Sequence, residues 1–387
     1  MKSMTIEEFA RANQEPEWLQ VKRQVVSQMI SDFSMDPKKR AYRYSVPELH
    51  ARQINPDNQA PAKLASKGVI MMDLFAAASQ YPEFVQENLM EKAIEWRNNA
   101  FNARHLAYLQ SGAFIYLPPN TVLNEPIELS HLIDHQVQEK HLLIIAGANA
   151  KSTFTFADLT RDNANDCLMV EVLLGDNAHV EYYDAANSNA HHNHRVLNAY
   201  LAQNADLKTF VGLFNRFDTC YESHFSLDGQ SSSGEINIVN LGDGHQKQTI
   251  QADIVNESPN THGEIKERGI VADHAKTHCY TNGIIHPNGY GSYSDQTSRL
   301  LTLDETSRGE VDPVLLIENY DVIAGHAASV GKVDADQLYY LNSRGIPIRD
   351  AKVLLIRGFL LPLVNEFPDQ SMRKQMMQKL EERFYVE

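Results

Sequence analysis

His141-Leu142-Leu143-Ile144-Ile145 is a strand-like run, and it breaks into Gly147-Ala148-Asn149-Ala150. The same grammar returns at Asp162-Asn163, Gly175-Asp176-Asn177-Ala178, Asn187-Ser188-Asn189 and Gln203-Asn204-Ala205. It continues through Asp228-Gly229, Gly242-Asp243-Gly244, Asn256-Glu257-Ser258, Asp273-His274-Ala275, Pro287-Asn288-Gly289, Asp304-Glu305-Thr306 and Asn319-Tyr320-Asp321. Short runs rich in Val, Ile, Phe, Tyr and Thr lie between these turns, Phe114-Ile115-Tyr116-Leu117 among the first. The steps are mostly roughly 12–17 residues, with one longer gap near Phe217, and a recurring step marks repeat architectures. A meander or sandwich also turns often, but usually through tight hairpins. A solenoid stacks strand–turn–strand units, because one coil cannot bury its own apolar face. The persistence of the pattern, with no helix long enough for βαβ units, favours the solenoid. Strict six-residue repeats with an aliphatic lead are absent, which disfavours the left-handed hexapeptide β-helix.

On either side the grammar is helical. Ile6, Phe9 and Ala10 keep helix spacing, and Pro16-Glu17-Trp18 opens a second helix carrying Leu19, Val21 and Val25. An irregular patch follows around Ser45-Val46-Pro47 and Asn55-Pro56-Asp57. The spacing of Leu89, Ala93, Trp96 and Ala100 then predicts continuous helix from Leu74 to Phe101. After the strands, Asp334-Ala335-Asp336-Gln337 predicts a helix start that Gly345 closes, and Pro347 opens another helix. A final helix is expected over about Asp369 to Phe384. The expected domains are 1–106 helical, 107–333 β-solenoid and 334–387 helical.

With 35 Lys+Arg against 50 Asp+Glu the formal charge is −15, which disfavours binding to nucleic acid. The longest apolar stretch, Val353 to Val364, is interrupted by Arg357, Gly358 and Pro362, so no membrane span is expected. Acidic Glu7-Glu8 stand where a signal peptide needs an apolar run, and the three cysteines are odd in number and far apart. A reducing, cytoplasmic setting is the expectation. Phosphate-loop, dinucleotide-fingerprint, H-E-x-x-H, C-x-x-C and G-x-S-x-G motifs are all absent.

Asp321-Val322-Ile323-Ala324-Gly325-His326-Ala327-Ala328-Ser329-Val330-Gly331 precedes Gln337-Leu338-Tyr339-Tyr340-Leu341-Asn342-Ser343-Arg344-Gly345-Ile346. Together these resemble the C-terminal signature of the SufB/SufD family, scaffold components of the SUF iron–sulfur cluster assembly system. Glu15-Pro16-Glu17-Trp18-Leu19, Gly112 to Pro118, His262 and Glu267-Arg268-Gly269 extend the match over most of the chain. The resemblance implies a right-handed parallel β-helix flanked by N-terminal and C-terminal helical domains. It points to the SufD branch, since Gln296 to Leu303 lacks the late cysteine of SufB-type chains. His326 occupies the SufD-type motif histidine, whereas Ala324 replaces the family's cysteine and Ala327 its glycine.

By the same resemblance, the chain is expected to be a non-catalytic scaffold subunit that pairs with SufB and docks the ATPase SufC. His326 would meet a SufB cysteine at the subunit interface and hold nascent cluster or iron there transiently, with no tightly bound cofactor. Without the motif, a lone histidine reads more simply as structural. The apolar helix after Pro347 is expected to be either buried in its own domain or a SufC docking surface through Val353, Ile356, Phe359 and Leu360. A pseudo-two-fold pairing of paralogues makes a homodimer of the isolated chain an expectation too.

Other residues read more plainly. His191-His192-Asn193-His194 suggests a metal tract but is expected to be a solvated turn. Cys167, Cys220 and Cys279 are expected in the core, and His274, His278 and His286 in turn-facing or stacked structural roles. Arg344 is expected to cap the preceding helix. The rival function is a β-helix carbohydrate-active enzyme using Asp273, Asp304 and Asp321; a self-sufficient SufB-type scaffold is a third reading.

Overall fold

A computed structural model describes residues 3–34, 47–50, 60–157, 165–186, 188–367 and 370–385. The irregular patch around Ser45-Val46 and Asn55-Pro56-Asp57 and the turn Asp162-Asn163 lie outside these residues.

After a first strand that runs antiparallel to the second, the strands alternate between two parallel sheets, one strand of each coil in each sheet. The first sheet contains β1 (Ile70–Asp73), β2 (Ser111–Leu117), β4 (Glu139–Ala146), β6 (Asn165–Leu174) and β8 (His192–Leu201). It continues through β10 (Asp218–Leu227), β12 (Lys247–Asn256), β14 (Lys276–Ile285) and β16 (Arg308–Ile317). Facing it are β3 (Ile127–Glu128), β5 (Lys151–Ala157), β7 (His179–Ala186), β9 (Asp206–Leu213) and β11 (Ser233–Gly242). β13 (His262–Val271), β15 (Tyr293–Thr302) and β17 (Ile323–Lys332) complete the second sheet. This is a parallel β-helix, as the turn pattern predicts. Each predicted step proves to be half a coil: register pairs His192 with Asp218, a coil of 26 residues, and Lys276 with Arg308, a coil of 32.

The turns that lead from the first sheet to the second stack into one edge of the solenoid. Asn120, Asn149, Asn177, Asn204 and Asn260 all take left-handed backbone angles there, near φ 57, which asparagine tolerates best among residues with a side chain. Their amides also form a ladder: Asn149 donates to Asn120 at 3.0 Å, Asn177 to Asn149 at 3.1 Å and Asn204 to Asn177 at 3.0 Å. At the same edge a Cβ on Gly229 would collide with the backbone of Gln203, so only glycine lets those coils stack.

Alternation along each strand sorts the side chains into three cores. Leu142, Ile144, Val170, Val172, Leu197 and Ile238 point into the solenoid. Leu143, Met169 and Val196 point outward from the first sheet, against the N-terminal helices. These are α1 (Ile6–Ala12), α2 (Glu17–Met29), α3 (Ala62–Ala65), α4 (Leu74–Gln80), α5 (Pro82–Asn88) and α6 (Ala100–Ala107). On the outer face of the second sheet, Phe210, Val239, Leu241 and Ile270 meet the C-terminal helices. There α7 (Ala335–Ser343) follows the last strand and leads to α8 (Ile348–Val364) and α9 (Gln370–Tyr385).

Helix ends follow their local chemistry. Asp334 caps α7 by accepting from Asp336 N–H and Gln337 N–H, and Gly345 follows with φ +87. Pro347 stands one position earlier than expected, as the N-cap of α8. Arg344 ends α7 through its backbone, and its guanidinium lies over the Tyr340 ring at 5.1 Å.

One expectation fails near the N-terminus. Residues 89–99 are not helical: Met90 takes φ 54, and the buried Glu171 carboxylate accepts from Met90 N–H at 2.8 Å and Ile94 N–H at 2.9 Å. The loop folds around that charge, which reproduces helix-like spacing of apolar residues without a helix. On α2, Val21 and Val25 are exposed, while Leu19, Arg23 and Val26 face inward. Arg23 pairs with buried Glu15 and donates to the carbonyls of Ala107 and Leu109. A charge therefore sits on the inward face of the expected helix, between Leu19 and Val26.

Candidate functional site

The solenoid ends open. Among the described residues β16 pairs only with β14 and β17 only with β15, so the outer edges of both sheets have no partner strand. Unpaired strand edges are templates for another chain, and proteins normally blunt them. The first half of β16 follows that rule, with exposed Arg308, Glu310 and Asp312 and then Pro313, but beyond it the edge turns apolar: Leu316 is 53% exposed and Ile323 70%, with Val314, Ile317 and Val330 exposed beside them. Tyr320 stands fully exposed in the turn between the two strands, and Tyr339 and Tyr340 are exposed on α7.

His326 lies on β17 and is exposed. Register sets it beside Gln296, which in turn stands beside Ile265, a residue of the solenoid interior. The imidazole thus belongs to the inward-facing row, on a coil with no further coil beyond it among the described residues. Beneath it the interior changes character. Glu267, Cys279, Thr281, Gln296 and Ser298 are all buried where earlier coils hold Leu, Ile and Val. The Cys279 thiol donates to Glu267 Oε1 at 2.7 Å, and burial pushes the Glu267 carboxyl up to about 7. Glu267 Oε2, Thr281 Oγ1 and Gln296 Oε1 find no partner among the described residues. Buried polar atoms of this kind are normally satisfied by internal water. Burial also raises the Cys279 thiol far above its ordinary value, so it stays protonated.

A second polar cluster holds the N-terminal helices to the first sheet. Glu139 receives Arg104 at 2.8 Å, and its other oxygen lies 2.8 Å from His105 Nδ1. His105 Nε2 is 3.2 Å from His141 Nδ1, and His141 Nε2 is 3.0 Å from Glu171. Burial pushes His105 down to about 4. For Glu139 burial acts upward, but Arg104 and His105 prevail and hold it down to about 2.

The other expected residues fall in varied places. Cys167, Cys220 and Cys279 are buried, as expected, and none forms a disulfide among the described residues. His274 stacks on His245 at 4.9 Å, His278 lies 2.7 Å from Asp312, and His286 lies 2.6 Å from Glu257. The tract at 191–194 is not a solvated turn throughout. His191 is exposed, but His192 begins β8 and His194 is buried under the Phe101 ring, 4.1 Å away. Val353, Ile356 and Leu360 on α8 are buried within their own chain and Phe359 is partly buried, because this face covers the second sheet. A partner on α8 would instead meet Ile348, Leu354 and Arg357. Asp273 and Asp304 are turn residues, Asp304 Oδ2 accepting from Asp273 N–H at 2.7 Å. Asp321 lies at the opposite edge, where its carbonyl accepts from Gly291 N–H, so the three acids do not converge.

His105, Glu139, His141 and Glu171 were not singled out from the sequence. One signal was available: Glu171 is the lone charge within Cys167-Leu168-Met169-Val170-Glu171-Val172-Leu173-Leu174. A carboxylate in such a run must have a buried partner.

Known proteins share the sequence that builds this open end. The family model described as "SUF system FeS cluster assembly, SufBD core domain" matches residues 130–359, and "SufBD protein N-terminal region" matches residues 25–129. The chain belongs to the SufBD family. It is 33% identical over 341 residues to the iron-sulfur cluster assembly protein SufD of Bacillus subtilis, covering 84% of this chain and 78% of that one. An iron-sulfur cluster assembly SufBD family protein of Staphylococcus saprophyticus is 27% identical over 315 residues, 79% of this chain and 67% of the relative. The resemblance read from residues 321–346 is thereby confirmed, and this SufBD-family chain is of the SufD type. Among its described residues no helix is long and apolar enough to cross a membrane.

Proposed function

We propose that this SufD-type protein is a scaffold subunit that pairs with SufB through the open end of its β-helix. The observation that carries the reading is the uncovered terminal coil, where exposed Leu316, Ile317, Ile323 and Val330 flank His326 on an unpaired strand edge. Such a surface is stable in water only when another chain adds to it. A paralogue with the same fold offers a matching edge and a pseudo-two-fold contact, and an isolated chain would pair with a second copy by the same rule. His326 would then face the seam. A neutral imidazole is a borderline donor suited to iron, and a SufB cysteine opposite would complete a mixed nitrogen–sulfur site for iron or nascent cluster. With Ala324 where the family has cysteine, the sulfur must come from the partner.

SufC would dock on the outward side of α7 and α8, where Ile348, Leu354 and Tyr339 are exposed. ATP turnover there would bias the paired interface between two arrangements. The chain itself would perform no bond chemistry.

His326→Ala tests the reading. Co-expressed with SufB and SufC partners, the variant should purify as an intact complex with lower anaerobic iron and sulfide content. Normal cluster content in that complex would refute the role of His326.

A further inference from the structure

A row of donor atoms crosses the outer face of the first sheet. Register sets Glu139 of β4 beside Cys167 of β6, Cys167 beside His194 of β8, and His194 beside Cys220 of β10. Neighbouring strands hold such side chains about 4.8 Å apart. Over this row lies α6, which brings His105 down onto Glu139 and Cys167. The outcome is two adjacent triads, His105–Cys167–Glu139 and His194–Cys220–Glu222, each with one imidazole, one thiol and one carboxyl. In each, the ligating atoms all lie within 4.8 Å of one another.

What surrounds the triads differs. The first is buried at all three residues. The second has an opening: the Glu222 side chain is 17% exposed and lines a cavity of about 540 Å³. Glu95, Asp228, Asp253 and Glu257 line the same cavity against the single lysine Lys92, so among the described residues its potential favours cations.

We infer that His194, Cys220 and Glu222 form a binding site for a divalent first-row transition metal with thiolate affinity, zinc or ferrous iron. Nitrogen, sulfur and oxygen donors together suit these ions and not magnesium or calcium. His194 Nε2 lies 2.6 Å from Glu222 Oε1, and Cys220 Sγ lies 3.9 Å from the same oxygen. A tetrahedral ion at about 2.0–2.3 Å from each donor separates them by roughly 3.3–3.7 Å. The histidine–carboxylate contact must therefore open by about 1 Å or less, and the thiol must close by a few tenths of an ångström. The fourth position faces the cavity and takes water. Binding sends the Cys220 thiol proton to solvent, so affinity rises with pH. The site is on the opposite sheet from His326 and does not rest on the pairing reading.

The test is cobalt(II) titration of the full, metal-free chain under anaerobic reducing conditions. One equivalent should produce thiolate-to-cobalt charge transfer in the near ultraviolet and intense tetrahedral bands in the visible, both bleached by zinc. Cys220→Ser should abolish the charge transfer and His194→Gln should weaken affinity at least about tenfold, while Cys167→Ser and Cys279→Ser keep the band. Should the Cys220 and His194 variants unfold, alkylation of the unaltered chain decides: cobalt must protect Cys220 from modification. No charge-transfer band in the unaltered chain, a band that survives Cys220→Ser, or alkylation of Cys220 unaffected by cobalt would each overturn the site.

Discussion

The two ends of one solenoid are finished in opposite ways. At the first end β1 runs antiparallel to β2, with Ile70 opposite Tyr116, and helices α1 to α6 cover the adjoining sheet face. Inside, those coils hold Leu142, Ile144, Val170 and Phe154, and outside they hold a fully paired ion network. At the other end the last strands have no partner strand among the described residues, their edge passes from charged (Glu310, Asp312) to apolar (Leu316, Ile323), and the interior contains Glu267, Gln296 and Ser298. The strand-and-turn template is the same at both ends. Only the side chains differ, and they divide the rod into a part built for its own stability and a part built for company. Repeat proteins need their terminal coils capped, and among the described residues nothing caps this one, which is the place the proposed partner would take.

The largest effect should come from breaking the closed end. Glu171→Ala removes the acceptor of Met90 N–H, Ile94 N–H and the His141 ring together. Stranding buried polar groups in this way is expected to cost about 3–5 kcal/mol in urea unfolding. A loss below about 1 kcal/mol would mean that apolar packing alone holds the 89–99 loop.

An intermediate effect is expected in the polar interior of the open end, and it depends on pH. Burial raises the Glu267 carboxyl to about 7 in the folded chain, above its ordinary 4.5. Below 4.5 the group is protonated in both states and costs nothing extra. As pH climbs toward 7 the unfolded chain alone ionises, and stability falls by about 3 kcal/mol at most. Glu267→Gln should therefore match the parent at pH 4 and melt several degrees higher at pH 8. Parallel melting profiles for the two proteins would show that Glu267 is not neutral in the folded chain.

The smallest change in stability is expected at the rim. Ile323→Lys should shift unfolding by about 0.5 kcal/mol or less, since the side chain is already 70% exposed. Its effect should appear in pairing with SufB, which a charge at that edge disrupts. A large loss of stability would mean that the rim belongs to the chain's own core.

The solenoid was legible because its cause is local. Each Gly-Asp-Asn-Ala or Gly-Ala-Asn-Ala turn specifies a left-handed corner, and each Val- and Ile-rich run a strand, so the fold repeats in the sequence as it does in space. The caps at Asp334 and Gly345 are local too. Contacts far apart in the chain were not legible. The 89–99 loop reads as helix because the residue it wraps, Glu171, lies about 80 positions later. His194 reads as part of a polar tract because nothing nearby announces the Phe101 ring that covers it. Helix α8 is apolar on nearly every side, so only its seat on Phe210, Val239 and Ile270 decides that Ile356 and Leu360 turn inward. His326 was found through the motif around it, not through any physical feature of its own strand.

The central claim is that the bare coil, and not another face, receives the partner. Amide hydrogen exchange of the chain alone and in complex with SufB measures this directly. The account predicts new protection concentrated in β16 and β17, from Arg308 to Lys332, with the N-terminal coils unchanged. Protection that appears elsewhere while β16 and β17 continue to exchange as in the free chain would contradict it.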